Sequence, residues 1–233
     1  NHEFNALAYH TPDPDEPGEY LRRHTEKNRH QHGAFLAEVA HDPAAHAGVM
    51  DWFRTLPVYL DLPEFRVVHA CWHPEMLVEL DAWLAPGARL HTDLLVRASR
   101  KGRREYTVVE MFLKGMEVAL PAPHFFVDKD GHRRERMRVR WWDESARDFA
   151  AAALPGEGLG DSLAHVPLAT GELPGYAGDK PLFIGHYWLT GEPEPLNRTV
   201  ACVDYSAGHG GPLCAYRWQG ESMLEAGHFV GVD

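Results

Sequence analysis

Three short stretches of this sequence carry side chains that can bind metal ions and move protons. The tripeptide Asn1-His2-Glu3 opens the chain, and His69 and His186 each end a short apolar run. In an open α/β sheet the carboxyl ends of the strands meet at one edge, where ligands collect. Two imidazoles and one amide oxygen brought together there can bind a borderline divalent cation. Taken alone, a histidine after a strand more often makes an ordinary hydrogen bond.

Other stretches that look like chemical motifs are weaker candidates. His69 and His73 are four residues apart, as in helical zinc-protease motifs, but the first ends a strand and no Glu follows it. Cys71 could be a nucleophile, although a small packing residue is the simpler interpretation. Residues 206–211 are rich in glycine, as phosphate-binding loops are. They lack the Lys-Ser/Thr pair of a P-loop, so we interpret them as a turn between strands.

The hydrophobic pattern predicts the strands that position these residues. Two strands at 58–62 and 65–70 are joined by a tight turn, and the second ends near His69. Two later apolar runs end in His186 and in Asp204. The sequence therefore predicts an α/β fold with its chemistry at the carboxyl ends of strands.

The pattern also predicts helices and one hairpin. Helices are expected at 16–39 and 49–56, and the helical pattern over about 76–117 is expected to form a cap inserted in the domain. The pair Asp130-Gly131 tolerates positive φ and predicts a hairpin whose second strand is 137–142.

Composition limits the classes of function. The chain has 233 residues, 44% hydrophobic and 24% charged, which is typical of a globular domain, and we expect one domain over 1–233. A net charge of −11 argues against nucleic acid and anionic membranes as partners. No apolar run is long enough to cross a bilayer, and three cysteines without a CxxC spacing suit a reducing compartment. We expect a cytoplasmic protein that binds neither nucleic acid nor membrane.

Histidine is unusually frequent, with 16 residues in the chain. Many of these histidines lie in polar stretches. We interpret that group as a compositional habit of exposed surface: His24, His30, His32, His41 and His46.

The order of the motifs resembles the calcineurin-like metallophosphoesterases. The resemblance is carried by Asn-His-Glu, then Val-His-Ala, then Gly-His, then a strand that ends in Asp before a Gly-rich turn. It implies a β-sandwich of two mixed sheets flanked by helices, and a site for two divalent ions, Mn, Fe or Zn. By the same resemblance Asn1, His69 and His186 would bind the second ion. His2 would be the general acid that protonates the leaving oxygen.

One departure from the family pattern narrows the resemblance. After His186 the chain has Tyr187-Trp188 and not a second histidine. This is similar to the branch with protein serine/threonine phosphatases and bis(5'-nucleosyl)-tetraphosphatases. That branch takes its first metal ligands from two Gly-Asp motifs that precede Asn-His-Glu. Neither motif occurs here, so we expect a chain that is incomplete at its amino terminus and inactive alone.

The resemblance implies a metal-dependent phosphatase. Metal-bound hydroxide would attack a phosphomonoester or a nucleoside polyphosphate, and the partner would be a phosphorylated small molecule or a phosphoprotein. The alternative is a non-catalytic binding or regulatory module that retains the scaffold. The oligomeric state stays open.

Overall fold

The computed structural model describes residues 1–39, 41–127, 131–154, 163–169 and 172–232. Over these residues the protein is mixed α/β, with seven α-helices and several small sheets, which confirms the predicted class. The chain divides into two compact units. The first comprises Asn1–Leu60 with Glu75–Glu110, and the second Asp61–Pro74 with Met111–Asp233. None of the helices described is both long and apolar enough to cross a membrane.

Helices make up most of the first unit. In chain order they are α1 (His2–His10), α2 (Glu26–Val39), α3 (Pro43–Thr55), α4 (Pro74–Trp83), α5 (Thr92–Ala98) and α6 (Arg104–Lys114). Helix α1 was not predicted, although it contributes several residues to the buried interior. That helix buries Phe4, Ala6, Leu7, Ala8 and Tyr9.

The predicted helix at 16–39 was wrong in its first half. Gly18 has a φ of 90°, which no α-helix contains, and the chain forms turns as far as Thr25. The Thr25 hydroxyl then accepts the Asn28 N–H at 3.2 Å, as a helix-capping residue does. Conversely, α3 begins six residues before the predicted 49–56, because Asp42 accepts two N–H groups of its first turn.

An ion pair attaches the turns between α1 and α2 to the end of α5. Asp13 receives two hydrogen bonds from the Arg100 guanidinium, and its side chain is only 4% exposed. The hydrogen bonds from Arg100 lower the pKa of Asp13 from 3.8 to about 2. Because this pKa is lowered on folding, the stabilisation is complete above pH 3.8 and is lost as the pH falls towards 2.

Replacing Asp13 with Asn is expected to destabilise the first unit by roughly 1.5–3 kcal/mol, as loss of charged hydrogen bonds does. Urea denaturation at pH 7 measures the change. Asp15→Asn is the matched control, since Asp15 also contacts Arg100 but its side chain is 75% exposed. We expect a loss of under about 1 kcal/mol there. Equal losses of unfolding free energy in the two variants would show that the burial of Asp13 does not increase its contribution to stability.

The second unit contains most of the strands. In chain order the strands are β1 (Tyr59–Asp61), where the chain passes between units, then β2 (Arg66–Val68), β3 (Glu117–Ala119), β4 (Phe126–Val127), β5 (Arg133–Arg134), β6 (Arg136–Arg138), β7 (Leu182–Ile184), β8 (Val200–Cys202), β9 (Leu213–Tyr216) and β10 (Phe229–Val232). The short helix α7 (Phe149–Ala152) lies between β6 and β7. Strands β2, β7 and β8 lie side by side and are parallel. Three antiparallel pairs complete the unit, β3 with β6, β4 with β5, and β9 with β10.

The strand predictions were correct in place and too long in extent, since β1, β2, β7 and β8 each cover three residues. The predicted hairpin was wrong in its second strand. Strand β4 pairs with β5, whereas β6 pairs with β3 and buries Met137 between exposed arginines. Residues 128–130 of the turn lie outside the described residues.

The helical pattern over 76–117 is present as α4, α5 and α6, but it stops at Lys114 and residues 117–119 form β3. That these helices form a cap inserted in a single 233-residue domain stays a prediction.

Candidate functional site

Parallel pairing brings the predicted strand-end residues to one edge of the second unit's sheet. Strand β2 pairs with β7 from Arg66 opposite Leu182, and the Gly185 N–H donates to the His69 carbonyl at 2.9 Å just beyond the strands. Ile184 of β7 is paired with Cys202 of β8. If this register is extended by two residues, His186 is opposite Asp204. Buried apolar side chains make these strands rigid, because all three residues of β7 and of β8 are buried.

The imidazoles of His69 and His186 lie beside each other at this edge. Their ring centres are 5.2 Å apart and the ring planes meet at 64°. Both residues are half-buried. Two imidazoles that bind one ion at about 2 Å place their centres about 3.2 Å from it, and so about 5 Å from each other at a tetrahedral angle. The observed separation therefore fits two ligands of one cation.

Asp204 is a site residue that the sequence analysis did not assign. A Cβ at Gly185 would lie 3.8 Å from the Asp204 Cβ and 3.9 Å from the His69 Nδ1, so both side chains border this glycine. The Asp204 carboxylate accepts N–H groups from Trp188 at 3.3 Å and Ser206 at 3.1 Å. It joins the loops that follow β7 and β8. Its place at the end of an apolar run was the available signal.

Strained backbone is concentrated in these two loops. His186, Trp188 and Ser206 have φ values of 72°, 49° and 65°, in the left-handed region that residues other than glycine seldom adopt. Such a conformation costs of order 1–3 kcal/mol per residue and persists only where the surroundings enforce it. Here the Asp204 carboxylate and the Ser206 hydroxyl, which donates to Leu189, enforce it.

A buried tyrosine anchors the loop that carries His186. The Tyr187 hydroxyl accepts the Trp141 Nε1–H at 2.8 Å and donates to the Ala70 carbonyl at 3.1 Å. Burial raises the pKa of Tyr187 well above its usual value, so the phenol keeps the proton that it donates. Ala70 follows His69, and the same hydroxyl therefore connects the segments that hold both histidines.

Two aromatic rings are exposed next to this site. Trp188 is 46% exposed, and its ring centre lies 4.6 Å from that of His209. His209 belongs to the short 3-10 helix Ala207–His209 in the glycine-rich stretch, which is a turn between β8 and β9 as predicted. A Cβ at Gly211 would lie 2.1 Å from the Tyr205 carbonyl oxygen, so only glycine fits there.

The remaining candidates are described each within its own unit. Asn1 precedes α1 in the first unit and makes no side-chain capping hydrogen bond, and His2 is the exposed first residue of that helix. The assignments of Asn1 as a metal ligand and His2 as the general acid stay predictions. Cys71 is fully buried, and burial raises the pKa of its thiol well above the usual value, which disfavours a nucleophilic thiolate.

The interpretation of the polar histidines as exposed surface was wrong for three of the five. His24, His32 and His46 are half-buried and pack against aromatic rings. No local pattern signals the contacts of His24 and His32 with Tyr9 or that of His46 with Phe35, because these partners are distant in the sequence.

The described metal-binding side chains at the strand edge are the imidazoles of His69 and His186, with Asp204 beside them. Among the described residues, no group of three or more His, Cys, Asp or Glu side chains is placed to hold a metal ion. Two imidazoles can contribute to a metal site, orient a phosphate oxygen or transfer a proton. Neither a family model, nor a curated protein, nor a solved structure matches this chain.

Proposed function

We propose that this protein is a metal-dependent phosphoric ester hydrolase of the calcineurin-like metallophosphoesterase type. The observation that carries the proposal is the pair of strand-end imidazoles, His69 and His186, at a separation that fits one shared cation. Their order along the chain between Asn-His-Glu and the strand that ends in Asp204 supports the same assignment. The proposal includes the sandwich of two mixed sheets flanked by helices and a cytoplasmic location.

The proposed roles follow from the resemblance and from the chemistry of each side chain. His69 and His186 would hold a divalent ion, with Asn1 as the proposed third ligand. When bound, a pair of Mn, Fe or Zn ions polarises phosphoryl oxygens and activates water. His2 donates a proton to the leaving oxygen. Asp204 and Tyr187 are positioning residues, because they fix the loops that orient His186.

The exposed pair of Trp188 and His209 favours a small phosphorylated molecule with a planar ring over a phosphoprotein. Aromatic side chains stack on nucleobases with about 1–3 kcal/mol per base. The Asp204 carboxylate holds the Trp188 backbone at the edge that carries the histidines. A nucleoside polyphosphate is the substrate class that uses both features.

Trp188→Ala is expected to raise KM for a nucleoside polyphosphate roughly tenfold, and to leave KM for a phosphopeptide within about twofold, since only the nucleotide has a base to stack. Steady-state kinetics on both substrates measures the difference. Leu213→Ala is the control, because Leu213 is an exposed apolar side chain of β9. An equal rise in KM for both substrates would contradict a base-stacking role.

The proposed function is tested by phosphate release with added Mn²⁺, Fe²⁺ or Zn²⁺. An aryl phosphate is given to the full polypeptide that the gene encodes. We expect turnover that depends on one of these metals. A polypeptide that binds a nucleoside polyphosphate but releases no phosphate with any of the three metals would favour the alternative, a non-catalytic binding module.

A further inference from the structure

Three histidines of the first unit meet where α1, α2 and α3 come together. His10 ends α1, His32 lies in α2 and His46 lies in α3. The Nε2 atom of His10 is 3.2 Å from that of His32 and 3.3 Å from that of His46. We refer to these residues as the three-histidine cluster. All three are half-buried, so water reaches them only in part.

The geometry of the cluster limits how many protons it can hold. A ring nitrogen has one position in the ring plane, which is either a lone pair or an N–H group. His10 Nε2 can therefore donate to its two neighbours or accept from them, but it cannot do both. If His10 and one of its two neighbours both become imidazolium ions, their N–H groups and positive charges face each other at about 3 Å, which is repulsive. The cluster is compatible with neutral rings and not with positive charge on both His10 and a neighbour.

The groups around the cluster add to this repulsion. His10 faces His24 as well as the other two members, and His32 faces Arg22, His24 and His2. Each of these groups is a cation when protonated. Burial lowers the pKa of Arg22, while the nearby Glu110 and Tyr106 raise it. Burial, followed by His46, His32 and His24, lowers the pKa of His10 from 6.5 to about 4, and burial also lowers the pKa of His32.

The attachment of α2 depends on these rings. Val39 is the one buried residue among the 14 of α2. Aromatic contacts with the other helices add to this: His32 lies 4.7 Å from Tyr9 between ring centres, and Phe35 lies 6.0 Å from His46 and 5.8 Å from Phe53. A polar helix with so little apolar burial gains most of its stability from such tertiary contacts. Separation of His32 and Phe35 from the rings of the other helices would therefore destabilise the attachment of α2.

We propose that the three-histidine cluster is an acid-sensitive clasp, which holds α2 against α1 and α3 at neutral pH and releases it on acidification. A histidine whose pKa is lowered on folding stabilises the folded state fully above its unfolded pKa, and that stabilisation is lost as the pH falls. For His10 the window runs from pH 6.5 down to about 4. The Asp13 carboxylate titrates below this window, so the two effects separate.

Hydrogen–deuterium exchange of residues 26–39 between pH 8 and 4.5 tests the proposal, with rates corrected for intrinsic pH dependence and with EDTA present. Protection of α2 is expected to fall at least tenfold through pH 6 to 5, while β8 in the second unit keeps its protection. His10→Gln, whose side chain stays neutral, is expected to move the midpoint of the pH-dependent loss of α2 protection down by about half a pH unit or more. His30→Gln is the matched control, because His30 is an exposed residue of α2 outside the cluster.

The proposal is overturned if α2 protection does not change between pH 7 and 4.5, or if the two glutamine variants have the same midpoint. A second measurement does not depend on any variant. The Cε1–H resonance of His10, titrated by NMR in the natural sequence, is expected to report an apparent pKa clearly below 6.5, because protonation must first open the cluster. A value near 6.5 would contradict the clasp, since the cluster would then accept protons as freely as an exposed histidine.

Discussion

If the proposed function is correct, replacing His186 with Ala is expected to lower the affinity for Mn²⁺ or Zn²⁺ by more than about 100-fold, and turnover of a phosphate ester is expected to fall by at least as much. Loss of a residue that merely orients a metal ligand costs about 10–100-fold, so loss of a direct ligand is expected to cost more. His186 follows the fully buried strand β7, and the fold should survive because the imidazole itself is half-buried. Isothermal titration calorimetry measures the affinity. His132→Ala is the control, as His132 is an exposed histidine of the same unit.

A double-mutant cycle separates a shared ion from two independent histidines. His69 and His186 lie 5.2 Å apart between ring centres, which suits one cation. If they bind the same ion, removing the second ligand after the first adds little further loss, because the site is already broken. If the free-energy losses in metal binding of the two single variants add up to that of the double variant, the two imidazoles act separately. The hydrolase proposal would then lose its main support.

The largest loss of stability is expected for Trp141→Ala, at about 3–5 kcal/mol. Trp141 is the largest fully buried side chain, with no exposed surface. Its removal leaves a cavity and takes away the Nε1–H that the Tyr187 hydroxyl accepts. Urea denaturation followed by circular dichroism measures the change. Trp188→Ala is the matched control, since Trp188 is 46% exposed, and it is expected to cost under about 1 kcal/mol.

The conservative variant Trp141→Phe separates packing from hydrogen bonding. It keeps an aromatic ring and removes the N–H. We expect the free energy of unfolding to fall by about 1–3 kcal/mol, because the buried Tyr187 oxygen loses that donor. Since Tyr187 lies next to His186, the variant is also expected to loosen the loop that carries this histidine. A Trp141→Ala variant as stable as Trp188→Ala would contradict the packing described for the second unit.

Much of the second unit could be predicted because its signals are local. A short run of β-branched and apolar residues forms a buried strand wherever it lies, so Phe65–Ala70 and Pro181–His186 could be recognised without any knowledge of their neighbours. Once those strands are parallel, the residues that follow them meet at one edge. The proximity of His69 and His186 follows from these two steps. The polar partners of Asp204 do not, because they depend on the path of two loops.

The first unit was harder to predict, and the reason is physical. Helix α2 has a polar sequence, and its true start depends on the Thr25 cap and on Gly18, not on a hydrophobic period. The contact between His10, His32 and His46 joins residues that are 22 and 36 positions apart. Nothing local marks such a contact, since each histidine by itself resembles a surface residue.

The amino-acid sequence alone therefore determined the α/β class, the place of the strands β1, β2, β7 and β8, and the order of the histidines that follow them, because backbone propensity and apolar patterning act over a few neighbouring residues. Tertiary structure alone decided which polar side chains meet. It brought Asp204 to the glycine beside His69, buried the Tyr187 hydroxyl against Trp141, and turned three scattered histidines into a cluster. Contacts of this kind depend on how whole elements pack, and packing is a property of the folded chain.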